Sequence, residues 1–220
     1  NIQVNQPYLR IMALGIPTVT IDNKPITRWR MTRSIELFFL LLDSDHPVHK
    51  EQIITALWPD TDEQIDQTFR SMVHYLRKAI GDVCVIQHAG TYELNLQFLY
   101  GDHAWYDVKN FKELYACAQN SISIEDDKAA QNAFQQMVAL YHGNYLQTFY
   151  SDWCRSRRDE LLRMYMEALT HLAQITWKSE HIEEAFHYWQ KTLEIETLHE
   201  EAHYGIMRYY LRQGKRTQAL

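Results

Sequence analysis

The 220-residue chain is 46% apolar and 13% aromatic, and its 28 acidic against 22 basic side chains leave a formal net charge of −6. That composition belongs to a well-packed globular protein and excludes disordered, collagen-like and uniformly basic chains. The longest apolar run, Leu37 to Leu42, is far short of the ~18 residues a membrane helix needs.

Residues 8–27 alternate like half-buried strands: LRIMALG, then TVTID, a turn at Asn23-Lys24-Pro25, and Ile26-Thr27. They predict a small antiparallel sheet. Thr32 or Arg33 opens a helix through Ile35, Leu37, Phe38, Leu40, Leu41 and Leu42. Apolar on most faces, it belongs at the centre of its domain. Asp43 to Pro47 ends it, since Pro47 cannot continue the ladder. His49-Lys50-Glu51 begins a second helix that buries Ile53, Ile54, Leu57 and Trp58, and Pro59 stops it. Asp60, Thr61, Asp62 and Glu63 then form an acidic lead-in suited to the positive end of a third helix.

That third helix organises the first half. Ile65, Phe69, Met72, Val73, Leu76 and Ile80 recur at the spacing of one helical face. The opposite face carries Arg70, Ser71, His74, Tyr75, Arg77 and Lys78, with no acid between Asp66 and Asp82. Gly81 can close the helix in the left-handed conformation. The strands VCVIQ and TYELN follow, joined tightly through His88-Ala89-Gly90. A basic helix face followed by a hairpin is the layout of a winged helix that presents one helix to a DNA groove. Bulk charge does not assist it: before residue 101, nine Lys and Arg against eleven Asp and Glu leave −2, and beyond it thirteen against seventeen leave −4. Any nucleic-acid binding must come from a local patch.

From Asp107 onward the pattern is helical throughout. Ala173 and Ala185 are twelve residues apart, as are Met207 and Ala219, and the two pairs are offset by thirty-four. A looser copy pairs Ala118 with Ala130, with Phe134 placed after it as Trp189 is after Ala185. Small residues let two helices approach and the aromatic fills the groove, as in tetratricopeptide-type hairpins. Thr197 stands where such repeats usually carry proline. The third pair is expected to be incomplete at Leu220, and Asn1 in place of methionine reads as the start of a piece of something longer, with no secretion leader behind it.

The sharpest enzymatic signal is His199-Glu200-Glu201-Ala202-His203, the H-E-x-x-H spacing of a zinc peptidase. It lacks a third ligand downstream, since Ile206 and Tyr209 stand where a metzincin would carry Gly and His. Glu and His at a hand-over between helical pairs read better as solvated residues. His171, His181 and His187 sit among helix-pair positions and read as solvated or core-lining. No phosphate loop, dinucleotide fingerprint or nucleophile elbow occurs, so no catalytic residue, metal ligand, cofactor or small-molecule site is expected. Cys84, Cys117 and Cys154 are odd in number and widely spaced, which suits reduced, buried thiols in a cytoplasm.

The segments HPVHKEQIITALWPD, TFRSMVHYLRKAIGD and VIQHAGTYELN, in that order and spacing, resemble the OmpR-type winged helix of the Streptomyces antibiotic regulatory protein family. DVKNFKELYACA, ALYHGNYL and DWCRSRRDELLRMYMEALTHLA resemble that family's bacterial transcriptional activator domain. The resemblance implies a mainly α fold with small β-sheets: a winged helix over residues 1–100, then an all-α tetratricopeptide-like domain over 101–220. It implies a bacterial, cytoplasmic transcriptional activator that binds double-stranded promoter repeats, recruits RNA polymerase and works as a dimer or side-by-side pair. Arg70 and Arg77 would contact phosphate or guanine, and His74 and Tyr75 base edges, with Ser71 and Lys78 beside them. Thr91, Tyr92 and His88 would reach the flanking backbone or minor groove. Arg28, Arg30 and Arg33 would supply further phosphate contacts, and the Trp58-Pro59-Asp60 loop would meet the polymerase. The competing reading is a protein-interaction module without DNA binding.

Overall fold

The period-two pattern near the N-terminus becomes β1 (Leu9–Met12) and β2 (Thr18–Ile21), antiparallel with Leu9 opposite Ile21. These coordinates are a computed structural model that describes residues 8–59 and 65–218. The turn after β2 lies at Asp22-Asn23, both at positive φ (50° and 62°), one residue earlier than the sequence pattern suggests. Lys24–Pro25 therefore form a short strand, β3, paired to β2. Two compact units emerge: residues 1–107 with 145–158, and residues 108–144 with 159–220.

In the first unit, α1 (Thr32–Leu42) buries Leu37 through Leu41 and forms the centre of the core. It ends five residues before Pro47, where the Ser44 hydroxyl donates to the Leu40 carbonyl at 2.7 Å. β4 (Val48–His49) leads into α2 (Lys50–Leu57), whose start is a reciprocal cap between His49 and Gln52. The acidic lead-in Asp60–Glu63 lies outside the described residues. α3 (Asp66–Ile80) follows, then β5 (Val85–His88) and β6 (Thr91–Leu94). β6 pairs with both β5 and β4, so the three form one antiparallel sheet. Two elements escape the sequence pattern. α4 (Leu96–Tyr100) is a single short turn of helix, and β7 (Ala104–Tyr106) joins the first sheet parallel to β1, giving the order β3-β2-β1-β7.

The second unit is built from antiparallel helical pairs. They are α5 (Asp107–Ser123) with α6 (Asp127–Leu140), α7 (Arg155–Lys178) with α8 (Ile182–Ile195), and α9 (Glu200–Arg212). Asp126 caps α6 by accepting from the Ala129 N–H at 3.0 Å. Ala118, Ala130, Ala173 and Ala185 are all fully buried, as the twelve-residue spacing within each pair requires. Trp189 meets Trp177 at 5.4 Å within the α7–α8 pair, and Phe134 of α6 stacks on His171 of α7 at 5.3 Å between one pair and the next. At the last repeat Met207 is 44% exposed, and its expected partner Ala219 lies outside the described residues. The α8–α9 seam, between one pair and the next, closes on Gly205, which lies under the Trp189 indole. Among the described residues, no helix is long and apolar enough to cross a membrane.

Candidate nucleic-acid interface

α3 forms because one stripe of it is greasy and the ends suit its dipole. Phe69, Met72, Val73, Leu76 and Ile80 are buried, Asp66 sits in the first turn, and Arg77 and Lys78 in the last. Three contacts fix its position. Phe69 meets the Tyr92 ring edge-on at 5.0 Å, the Ser34 hydroxyl of α1 donates to the Met72 carbonyl at 3.2 Å, and the Tyr100 hydroxyl donates to the Ile80 carbonyl at 2.6 Å. Burial pushes the Tyr100 phenol up to about 12, so it remains a donor there. Cys84, fully buried beneath the helix end, is likewise pushed up to about 12 by burial. Cys154 is buried too, but Cys117 is exposed, so the expectation of three buried thiols fails at that position. Gly81 has φ 147° and ψ 144°, a positive-φ extended conformation rather than the left-handed helical one, and a Cβ there would lie 3.1 Å from Leu99 Cδ1.

The face turned away from the core exposes Arg70, His74 and Lys78 in one i, i+4, i+8 row, with Ser71 and Tyr75 half-buried beside it. Tyr75 packs edge-on against His74 at 5.5 Å and carries the Arg30 guanidinium over its ring at 5.8 Å. The loop before α1 thus delivers Arg30, itself at φ 55°, to the side of α3. Arg28 is exposed in the same loop. Lys78 is exposed and pairs with Asp82 at 3.2 Å, a contact too solvated to hold it firmly.

Three of the expected contact residues are committed elsewhere. Arg77 is half-buried and its Nη2 donates to the Val85 carbonyl at 2.9 Å, so it ties helix to hairpin. Arg33 is the counter-ion of buried Glu36, at 2.6 Å, and also reaches the Ser151 hydroxyl at 3.3 Å and the Trp58 ring. Tyr92 is only 6% exposed and belongs to the core. At the hairpin tip, Ala89 and Gly90 both take positive φ (49° and 84°), and the Thr91 hydroxyl donates back to the His88 carbonyl at 2.7 Å. His88, Ala89 and Gly90 are left exposed.

Lys50 is the cation the pattern did not single out. Its N–H donates to the Gly90 carbonyl at 3.0 Å, and its ammonium pairs with Asp66 at 2.5 Å and lies over Phe69. The hydrogen bond and charge of Lys50 hold the Asp66 carboxyl below its usual value. Only its place at the start of α2 could have marked it, and that carries no hint of a partner sixteen residues away. The two imidazoles of the H-E-x-x-H motif serve the backbone. His199 Nδ1 accepts from the Ala202 N–H at 3.3 Å as an N-cap, and His203 Nε2–H donates to the Thr197 carbonyl at 2.8 Å. Among the described residues no group of three or more His, Cys, Asp or Glu is placed to hold a metal ion.

A winged helix followed by tetratricopeptide-like helical pairs, with one polar helix face left open beside the hairpin, is the architecture of a transcription regulator of the resembled type. The chain belongs to the bacterial transcriptional activator domain family, whose model matches residues 106–220. In shape it is similar to Mycobacterium tuberculosis EmbR in complex with low affinity phosphopeptide, with a TM-score of 0.81 at 16% identity. The match covers 97% of this chain and 57% of that one, so the chain spans little more than half of that relative's length. No curated protein matches it in sequence.

Proposed function

We propose that α3 docks in the major groove of promoter DNA, with residues 1–100 as the DNA-binding part and residues 101–220 as the activating, partner-contacting part. The supporting observation is the row Arg70, His74 and Lys78, exposed on a helix whose other side is anchored by five buried apolar residues. Arg70 and Lys78 would meet phosphate or guanine, and Ser71, His74 and Tyr75 would face base edges. Arg28 and Arg30 would hold the neighbouring backbone, and the exposed hairpin tip with Thr91 would approach the flanking groove. RNA polymerase and a second protomer are the partners that the family resemblance suggests, in a bacterial cytoplasm.

Four cations on phosphates predict a slope of log K against log salt of about −3.6, which is roughly a hundredfold loss between 50 and 200 mM salt. Fluorescence anisotropy with a random duplex measures it. Arg70→Ala should weaken every sequence and reduce the slope by about one. An affinity that does not change with salt would remove the groove-docking reading. The interaction-module reading draws on the commitment of Arg33, Arg77 and Tyr92 to the protein's own interior, which thins the contact set. Under it the duplex would not bind at any salt.

A further inference from the structure

α3 carries two adjacent rows on the side turned away from the core. Arg70, His74 and Lys78 are exposed and form a basic row, and Ser71, Tyr75 and Ala79, each half-buried, form an uncharged row beside it. Tyr75 is the one large side chain of that second row, with a small residue one turn before it and another one turn after. Whatever meets the second row meets an aromatic ring rather than a charge.

The Tyr75 ring is braced although it stands on an open face. The His74 ring meets it edge-on, with centroids 5.5 Å apart and planes at 61°, and the Arg30 guanidinium lies over it at 5.8 Å. Arg30 reaches that place from a backbone at φ 55°, a left-handed conformation that a non-glycine residue keeps only where its surroundings enforce it. Cation–π attraction holds the ring in its plane, so a contact made by the ring costs little further ordering.

We infer that the Tyr75 ring reads the 5-methyl group of a thymine in the major groove. The groove presents hydrogen-bonding atoms at every base pair and a single kind of apolar group, the thymine methyl. The basic row suits phosphate and the acceptors of guanine. The ring suits the methyl, since a purine edge set against its carbons would lose water and gain no hydrogen bond. Arg30 is a positioning residue here: it braces the ring while its N–H groups serve the phosphate backbone. The inference deepens the proposed function by naming the base, and it rests on the groove-docking reading of α3.

The test uses the full 220-residue chain and a pool of randomised duplexes, from which the tightest binder is selected and rebuilt with deoxyuridine at each thymine in turn. That exchange removes the methyl group and nothing else, and it needs no change to the protein. At one thymine the loss should be about fourfold, which is what burying one methyl is worth. Tyr75→Ala should bind the thymine and uridine duplexes alike, and Tyr75→Phe should keep the ratio, because the ring and not the hydroxyl makes the contact. Arg70→Ala should weaken both duplexes and leave the ratio intact. Arg30→Ala should lower the ratio and Arg30→Lys restore it, since an ammonium can also lie over the ring. Circular dichroism melts check that each variant is folded. The inference is overturned by a selected duplex indifferent to uridine at every position, by a methyl effect that survives Tyr75→Ala, or by one lost in Tyr75→Phe. A pool that does not bind at any salt overturns groove docking itself, a result distinct from a bound pool that ignores the methyl.

Discussion

Replacing Gly205 with alanine sets two effects of opposite sign against each other. In an isolated helix the change stabilises by about 1 kcal/mol, because glycine has the larger conformational entropy to lose. In α9 the added Cβ would lie 2.1 Å from Trp189 Cε2, 2.3 Å from Cδ2 and 2.6 Å from Cζ2. Ordinary contact begins at 3.4 Å, so the α8–α9 seam must open by about 1.3 Å or the indole must leave its place. Trp189 is 4% exposed, and its ring is rigid and has no alternative space to enter without disturbing Trp177. Overpacking of this kind costs typically 1–3 kcal/mol, and a clash with a fused ring belongs at the upper end. The net loss should be about 2 kcal/mol, or roughly 8–16 °C in the melting of a unit of this size. Urea and thermal unfolding followed by circular dichroism would measure it. Trp189→Leu in the same chain should recover at least 1 kcal/mol of the loss as a coupling energy. A Gly205→Ala protein that melts higher than the parent, or a double variant that is simply additive, would refute the close-approach argument.

Three further outcomes follow from the first unit. Tyr92→Phe should leave duplex affinity within about twofold, whereas Tyr92→Ala should cost about 3–5 kcal/mol of stability by emptying the space against Phe69; an affinity loss in a stable Tyr92→Phe protein would put its hydroxyl on DNA after all. Arg77→Ala should lower stability by about 1–3 kcal/mol by leaving the Val85 carbonyl without its donor, and its loss of DNA affinity should shrink on cooling as the fold is regained. Because Lys50 depresses the Asp66 pKa, that pair contributes stability above the unfolded value near 3.8 and loses it as pH falls through the lower folded value. A carboxyl carbon NMR titration should therefore give Asp66 a midpoint below 3.8 that moves upward in Lys50→Met, and an unmoved midpoint would break the assignment.

Much of the fold was legible because it depends on periodicity. The buried stripe of α3 and the buried alanines 118, 130, 173 and 185 sit where spacing put them. What spacing does not encode is which polar side chain will be used internally. Arg33, Arg77 and Tyr92 looked like surface residues by type, yet each found a partner that is distant in sequence or specific to the fold: Ser151, the Val85 carbonyl and the Phe69 ring. β7 escaped for a related reason, since three residues paired in parallel to a strand almost a hundred residues earlier leave no local mark. Gly205 escaped because the repeat spacing marks the seam within a pair, whereas Gly205 closes the seam between α8 and α9, under Trp189.

The same distance in sequence hides how the winged-helix unit is completed. Residues 145–158 belong to it by contact: Leu146 N–H donates to the Ala13 carbonyl at 2.8 Å, and Gln147 N–H to the Gly15 carbonyl at 2.9 Å. Phe149 meets Phe39 edge-on at 5.9 Å, Arg157 pairs with Asp43 at 3.2 Å, and the Ser151 hydroxyl donates to buried Glu36 at 2.9 Å. Arg158 holds the segment's own shape by donating to the carbonyls of Tyr145, Leu146 and Phe149 at 2.8–3.0 Å. Uncovering Phe39 and leaving Glu36 with one partner fewer would each cost about 1–3 kcal/mol, and the backbone pairs add to that. Against the 5–15 kcal/mol that holds a typical domain, residues 1–107 alone should sit near the edge of folding. A fragment of residues 1–107 should therefore give poorly dispersed NMR spectra and a broad, low melt. A sharp transition within a few degrees of the full chain would show that the segment only decorates the unit, and that the core around α1 closes without it.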